Sequence, residues 1–152
     1  MCFYFDSGIA QEVEHQVEMK GKYQIIKNLN RFFATGDTIF VGGCGRFFEG
    51  NAEQMLDAFN LARTLPEDTL MLPGHEYTMS NMAFCAKAEG RTNKKIGEYA
   101  QKFQSRLNSG RPTIPTSLRE EKEFNVFMRT TDPVLQQALG ESDPVKCMHI
   151  LR

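Results

Sequence analysis

Two places in the sequence combine reactive residue types with a position at the end of a predicted strand. Asp37 lies in a Thr-Gly-Asp turn between two apolar segments, and His75 lies in Gly74-His75-Glu76-Tyr77, between an apolar strand and a helix. In layered α/β folds, loops at this edge of the sheet gather ligands and catalytic groups, because the sheet fixes the direction of each side chain. Simpler roles are also open, since an Asp in a turn bonds its own backbone and a lone His often caps a helix.

A glycine cluster and two arginines are the next candidates for ligand binding. Gly42-Gly43-Cys44-Gly45 lets the backbone approach a ligand closely, but it lacks the Gly-Lys-Ser/Thr ending of a phosphate-binding loop. Arg46 follows the cluster and could bind a carboxylate bidentately, or it could be a solvated surface residue. Arg129 is similar, and the preceding Phe127-Met128 pair could anchor it against the body of the fold.

Strands and helices that would position these residues are predicted up to about residue 90. Residues 7–30 have the polar, weakly periodic composition of a long connection with room for one helical turn. Around that connection the pattern predicts a β-prone run at 3–5, two strands in 31–41, a helix that Asn51 and Gln54 cap and Pro66 ends, a strand at 69–72, and a helix over 78–88.

From Thr92 onward nothing is convincingly β, and helix signals dominate. Ile96, Tyr99, Phe103 and Leu107 form an apolar stripe on a helix that Gly110 closes. Three further helix starts are predicted: the capping box of Ser117 and Glu120, and the Asp-Pro pairs at 132–133 and 143–144. The chain thus divides into a mixed part and an all-helical part.

Composition narrows the class of protein. The 152 residues are 41% hydrophobic and 24% charged, with a formal net charge of -1. This balance argues against a general electrostatic grip on nucleic acid or anionic lipid, and no apolar run reaches the roughly 18 residues of a membrane span. No secretory or transit segment is recognisable at residues 1–10. We expect no nucleic-acid partner, no membrane partner and a cytoplasmic location, with the mitochondrial matrix as the alternative.

The cysteines and histidines limit the metal sites that this chain could build. The four cysteines lie far apart without a C-x-x-C pair, so we interpret them as reduced thiols. There are only three histidines, His15, His75 and His149, so a site with several imidazoles would need distant positions to converge.

In this order, the segments resemble the C-terminal half of glyoxalase II, the hydroxyacylglutathione hydrolase branch of the metallo-β-lactamase fold. The resemblance implies an α/β fold: residues 1–90 form the C-terminal part of an αβ/βα sandwich, with 7–30 as a polar insertion, and residues 91–152 form a helical domain. It covers residues 31–152 and rests on Thr35-Gly36-Asp37-Thr38-Ile39-Phe40, Gly43-Cys44-Gly45-Arg46-Phe47-Phe48-Glu49-Gly50, Leu72-Pro73-Gly74-His75-Glu76-Tyr77-Thr78, Pro112-Thr113-Ile114-Pro115-Thr116-Ser117-Leu118 and Phe127-Met128-Arg129.

The resemblance also implies a binuclear metal site and a glutathione site. Asp37 corresponds to the carboxylate that bridges two divalent ions, zinc or alternatively iron or manganese, and His75 to a terminal imidazole ligand. Both would be catalytic, since hydroxide generated at the metals attacks a glutathione thioester, typically S-D-lactoylglutathione, to give D-lactate and glutathione. The positions that hold glutathione correspond to Arg46, Phe48, Tyr77 and Arg129.

Three departures from the family pattern qualify this implication. Phe48 stands where many members have a tyrosine, and no lysine follows Arg129 where the family often places a second cation. The remaining metal ligands of the family, a Thr-His-x-His-x-Asp-His motif and a further histidine, are not in this sequence. Two ligands are fewer than the three that a catalytic zinc site usually takes from its protein, so we expect this chain alone to be weak or inactive.

Two other interpretations stay open. One is a truncated, non-catalytic isoform that binds glutathione or pairs with itself or another chain through an exposed half-core. The other is an incomplete gene model, because the segment 1–5 resembles the strand that directly follows the last missing histidine in the family.

Overall fold

The computed structural model describes residues 2–6, 14–19, 22–27, 30–89 and 91–152, and these residues form a mixed α/β arrangement. The strands are β1 (Phe3–Asp6), β2 (Glu14–Met19), β3 (Lys22–Lys27), β4 (Arg31–Gly36), β5 (Ile39–Phe40), β6 (Gly43–Cys44), β7 (Leu70–Pro73) and β8 (Thr116–Ser117). The helices are α1 (Ala52–Thr64), α2 (Thr78–Glu89), α3 (Lys94–Asn108), α4 (Leu118–Phe124), a short 3-10 helix (Val126–Arg129), α5 (Pro133–Leu139) and α6 (Pro144–Leu151).

The largest sheet has four strands in the order β1-β4-β7-β8. Its central strands β4 and β7 run parallel, with Ala34 opposite Leu72 and Gly36 opposite Pro73, and the outer strands are antiparallel to their neighbours. The carboxyl ends of parallel strands meet at one edge of a sheet, so the residues that follow β4 and β7 are brought together there. The predicted strands in 31–41 and at 69–72 are therefore confirmed.

The prediction for residues 7–30 was wrong about secondary structure. Its described parts, β2 and β3, form an antiparallel hairpin rather than a connection with a helical turn, and residues 7–13, 20–21 and 28–29 lie outside the described part. Only a few residues of the two strands are β-branched or aromatic, which is why local composition resembled a connection.

The expectation that nothing after Thr92 is β was also wrong. Thr116 and Ser117 form β8, which pairs with Met71 and Leu70 of β7. A two-residue strand has no periodicity, so this pairing depends on where the chain lies and not on a local pattern.

The helix starts were predicted correctly. Asn51 with Gln54 and Ser117 with Glu120 form complete capping boxes. Asp132 and Asp143 cap α5 and α6, each with a proline in the first helical turn. These short-range hydrogen bonds form wherever the sequence places the cap, which is why they are readable from the sequence.

One hydrophobic core connects the mixed part of the chain with the helical part. Phe59 of α1 lies 6.3 Å from Phe127 between ring centroids, and Phe103 and Phe124 are fully buried with Met71 and Met82 in the same cluster. The domain boundary at residue 90 and the complete sandwich stay predictions. The four cysteines are unpaired, and the described part of the chain has no helix long and apolar enough to cross a membrane.

Candidate active-site pocket

Asp37 and His75 meet at the edge of the sheet where β4 and β7 end. The distance from Asp37 Oδ1 to His75 Nε2 is 3.5 Å, and the side chains are 69% and 54% exposed. Gly74 makes this approach possible: its N–H donates to the Gly36 carbonyl at 2.8 Å, and a Cβ at Gly74 would lie 2.8 Å from Asp37 Oδ1. A side chain at position 74 would therefore displace the carboxylate.

The turn that carries Asp37 is held by short-range and longer-range bonds. Thr38 N–H donates to the Thr35 carbonyl at 3.0 Å, and the buried Thr35 hydroxyl donates to the Ile39 carbonyl at 2.6 Å. From the next hairpin, Gly45 N–H donates to the Thr38 carbonyl at 2.9 Å. A Cβ at Gly45 would lie only 1.8 Å from the Asp37 carbonyl oxygen, so the two loops are in direct backbone contact.

A cavity of about 530 Å³ opens beside these two residues. Of the predicted site residues it brings together Asp37, Arg46, Phe48, His75 and Tyr77. The His75 and Tyr77 rings stack at 5.3 Å between centroids, and Phe40 packs edge-on against Tyr77 at 5.2 Å. Phe48 and Tyr77 are 83% and 49% exposed, so both offer free surface to a ligand.

Arg129 is the exception among the predicted site residues. Its side chain is 13% exposed, it does not line this cavity, and its guanidinium is paired with the buried Glu89 carboxylate and, at 2.6 Å, with Asp132. These partners lie on α2 and at the N-cap of α5, so the Phe-Met-Arg motif ties helices together. A role of Arg129 in glutathione binding stays a prediction.

Arg152 lines the same cavity, and sequence reasoning missed it. Its Nε donates to the Gly45 carbonyl at 2.9 Å, which ties the residue after α6 to the loop in front of Arg46. No local motif marks this arginine, since its position depends on the packing of α6. Phe40, Ser80 and Asn81 are the other cavity residues that were not predicted, whereas Cys44 belongs to the glycine cluster that was.

Cys44 is a buried thiol in the wall of the cavity. Burial raises the pKa of its thiol to about 12, against an opposing effect of Arg152, and the Sγ donates to the Gly45 carbonyl at 3.3 Å. A neutral, bonded thiol is a poor nucleophile. Cys44 is therefore not a candidate nucleophile of the cavity.

Asp37 and His75 fit two ligands of one metal ion. Two ligands of a tetrahedral ion with bonds of about 2.1 Å lie about 3.4 Å apart, close to the 3.5 Å observed, and carboxylate and imidazole are common zinc donors. Within the described ranges, no group of three or more His, Cys, Asp or Glu side chains is placed to hold a metal. The geometry of the pair suits part of a coordination sphere.

The sequence matches one family and many curated proteins. The family described as hydroxyacylglutathione hydrolase C-terminus matches residues 76–152. A hydroxyacylglutathione hydrolase of Photorhabdus laumondii is 45% identical over 121 residues, which cover 77% of this chain and 48% of that protein. One from Synechococcus is 42% identical over 117 residues, with 77% and 46% covered, and one from Serratia proteamaculans is 42% identical over 114 residues, with 75% and 45% covered. The chain spans about half the length of the curated relatives it matches.

Proposed function

Since the chain belongs to the hydroxyacylglutathione hydrolase family, also called glyoxalase II, we propose that it provides the substrate pocket and two metal ligands of a thioester hydrolase. The proposed reaction is hydrolysis of S-D-lactoylglutathione to D-lactate and glutathione. The observation that carries this proposal is the cavity that places the Asp37–His75 pair beside Arg46 and Tyr77. For its location we propose the cytoplasm, with the mitochondrial matrix as the alternative.

The proposed substrate fits the polar groups of the cavity. Glutathione carries two carboxylates, and the Arg46 and Arg152 side chains on the cavity wall suit charge-assisted bonds to them. The Tyr77 hydroxyl can donate to a peptide carbonyl of the substrate. Phe48 offers an aromatic face but no hydroxyl, so it would contribute apolar contact in place of a hydrogen bond.

Asp37 and His75 would hold the metal ions that the reaction needs. When bound, a pair of divalent ions, zinc or alternatively iron or manganese, would lower the pKa of water towards neutrality and polarise the thioester carbonyl. In the proposed reaction, water loses one proton to solvent as its oxygen bonds to the acyl carbon, and the carbon–sulfur bond breaks with its electron pair leaving on glutathione as a thiolate. The new carboxylic acid then loses its proton to give D-lactate, and the thiolate takes up a proton from solvent. A thiol pKa of about 8.5 means that this leaving group needs little help from a general acid.

The metal content and activity of this chain test the proposal. We expect weak zinc binding and slow hydrolysis by the isolated chain, because only two ligands converge in its described part. Zinc per chain would be measured by elemental analysis, and hydrolysis by release of free thiol from S-D-lactoylglutathione. Two tightly bound metals with fast turnover would contradict the expectation of an incomplete site.

Glutathione binding tests the pocket independently of the metal. Titration calorimetry with glutathione should give a dissociation constant that Arg46→Met raises about tenfold, the loss expected for a charge-assisted bond. Arg91→Met, at an exposed arginine outside the cavity, should leave the dissociation constant unchanged. Equal effects of the two substitutions, or no saturable binding by the unmodified chain, would rule out this pocket as the glutathione site.

A second candidate function is a non-catalytic module that binds glutathione and associates with itself or another chain. The observation in its favour is β1, an outer strand of the sheet whose Phe3 and Phe5 side chains are 61% and 47% exposed. Exposed edge strands with aromatic side chains favour association. Gel filtration should show a concentration-dependent oligomer that Phe3→Ser converts to a monomer, and a monomer at all concentrations would exclude association through β1.

A further inference from the structure

The hairpin turn of residues 40–45, here called the pocket turn, forms one wall of the cavity. It runs from the last residue of β5 through β6 and contributes Phe40 and Cys44 to the lining, while Arg46 follows directly. Phe40 packs against the Tyr77 ring at 5.2 Å and lies 6.3 Å from the His75 ring. Any displacement of this turn therefore moves the aromatic and cationic groups that face a ligand.

Side chains from α2 and the end of α4 bind the carbonyl groups of the pocket turn. Asn125 Nδ2 lies 3.3 Å from the Phe40 carbonyl and 3.4 Å from the Gly43 carbonyl. Asn81 Nδ2 donates to Val41 at 2.9 Å, and Cys85 Sγ donates to Gly42 at 3.2 Å. Four successive carbonyls thus have side-chain partners, on α2 or at Asn125, the residue that follows α4.

Glu121 also bonds the pocket turn, but as an acceptor from its backbone N–H rather than as a donor to its carbonyls. Its side chain is fully buried, and Oε2 accepts from Gly42 N–H at 3.0 Å and from Asn125 Nδ2 at 2.8 Å. Oε1 accepts from the Thr116 hydroxyl at 2.7 Å. A buried carboxylate costs folding energy unless donors surround it, and here one donor is the backbone of the pocket turn itself.

The backbone of the pocket turn lies close to side chains of α2. Gly42 has φ +63°, and a Cβ there would lie 3.2 Å from Met82 Sδ. A Cβ at Gly43 would lie 2.4 Å from Asn81 Nδ2. The backbone of the turn therefore packs closely against α2, and the bonds to Glu121 and Asn125 hold it there.

We propose that Glu121 is a positioning residue of the pocket: with Asn125 it holds the pocket turn where Phe40 and Arg46 can meet a glutathione ligand. Glu121 does not itself line the cavity, so it acts only through the turn. The identity of the ligand rests on the function proposed above, whereas the effect on the turn does not.

Three substitutions separate hydrogen bonding from charge. In Glu121→Gln, the amide oxygen can keep the bonds to Gly42 and Asn125, and the amide nitrogen can donate to Thr116, whose hydroxyl also accepts. Glu121→Leu leaves Gly42 N–H, the Thr116 hydroxyl and Asn125 Nδ2 without this acceptor, so it should lose stability as well as the position of the turn. Glu121→Asp keeps the charge, but its side chain is too short by one methylene. It is the variant to use for the same test if Glu121→Leu does not fold.

Two readouts on the full chain test the proposal. Amide NMR signals of residues 40–46, recorded without ligand, should be close to those of the unmodified chain in Glu121→Gln and displaced in Glu121→Leu and Glu121→Asp. The glutathione dissociation constant should stay within about twofold for Glu121→Gln and rise about tenfold for the other two variants. Leu135→Ala, at a buried α5 residue away from the cavity, is the control for a general loss of stability and should change neither readout.

The outcomes distinguish this proposal from the proposed function. Unchanged turn signals in Glu121→Leu or Glu121→Asp would overturn the positioning role, and so would a tenfold loss of affinity in the Leu135→Ala control. If the unmodified chain binds no glutathione, the proposed function fails, and the NMR signals of the turn alone decide the role of Glu121.

Discussion

The residues that line the pocket and the residues behind its turn differ in where their polar side chains find hydrogen-bond partners. The rim, defined as Asp37, Arg46, Phe48, His75 and Tyr77, lines the open cavity, and the Asp37, Phe48, His75 and Tyr77 side chains are between 49% and 83% exposed. The frame, defined as Asn81, Cys85, Glu121 and Asn125, binds the backbone of the pocket turn, and three of these four residues are fully buried. The exposed polar groups of the rim can bond to a ligand, whereas those of the frame are already hydrogen-bonded to other parts of the protein.

This difference predicts which substitutions change ligand binding and which change the free energy of unfolding. Removing an exposed side chain changes folding energy little, whereas removing one partner of a buried polar group leaves the other without compensation. Rim substitutions should therefore change binding, and substitutions at buried charges should change stability. Arg129 tests the division, because its motif predicted a ligand contact and its surroundings place it with the buried groups.

The largest expected effect is that of Arg129→Met. It would leave the fully buried Glu89 without its cation, and Glu89 Oε1 accepts no hydrogen bond in the described part of the chain. Breaking a buried pair costs about 3–5 kcal/mol, so the urea midpoint should fall strongly. Arg119→Met removes an exposed pair with Glu67 and should cost at most about 1 kcal/mol. If Arg129→Met instead weakens glutathione binding at unchanged stability, Arg129 belongs to the rim.

A pH dependence of stability is the next effect in size. Burial raises the pKa of Glu121 to about 7, and Glu120 adds to the rise, while bonds from Thr116, Gly42 and Asn125 oppose it. Because the pKa of Glu121 in the folded chain is above the unfolded value of 4.5, the folded chain binds the Glu121 proton more tightly than the unfolded chain does. The contribution of Glu121 to the free energy of unfolding is therefore complete below pH 4.5 and is lost as the pH rises to about 7. The loss is on the order of 3 kcal/mol at most.

Comparison with Glu121→Gln isolates this contribution. Urea unfolding at several pH values between 4.5 and 8 should give a difference between the unmodified chain and the variant that grows across the window and then levels off. Parallel pH profiles of the two proteins would show that Glu121 has an ordinary pKa, and the frame would then hold a charged carboxylate throughout.

The smallest stability effect is expected at the rim. His75→Ala should change the free energy of unfolding by no more than about 0.5 kcal/mol without metal, because the side chain is exposed. It should also abolish any stabilisation that added zinc gives the unmodified chain. His149→Ala, at an exposed histidine on α6, is the matched control and should keep the zinc effect. An equal loss of the zinc effect in both variants would exclude the Asp37–His75 pair as the binding site.

Local sequence patterns predicted the features that neighbouring residues create. The two capping boxes, the Asp-Pro helix starts and the turn at Asp37 were readable because each depends on residues within a few positions. The hairpin of β2 and β3 and the two-residue β8 were not readable, because their strands carry little periodic signal.

The sequence by itself determined that Asp37 and His75 follow strands, that Arg46 and Tyr77 lie nearby, and which family the motifs resemble. Tertiary structure decided the rest. Parallel pairing of β4 and β7 brought Asp37 to 3.5 Å from His75, and the packing of α6 brought Arg152 to the cavity. The position of Glu121 behind Gly42, 79 residues earlier, was likewise a tertiary outcome. Contacts between distant residues depend on how whole elements pack, and no short window of sequence contains both partners.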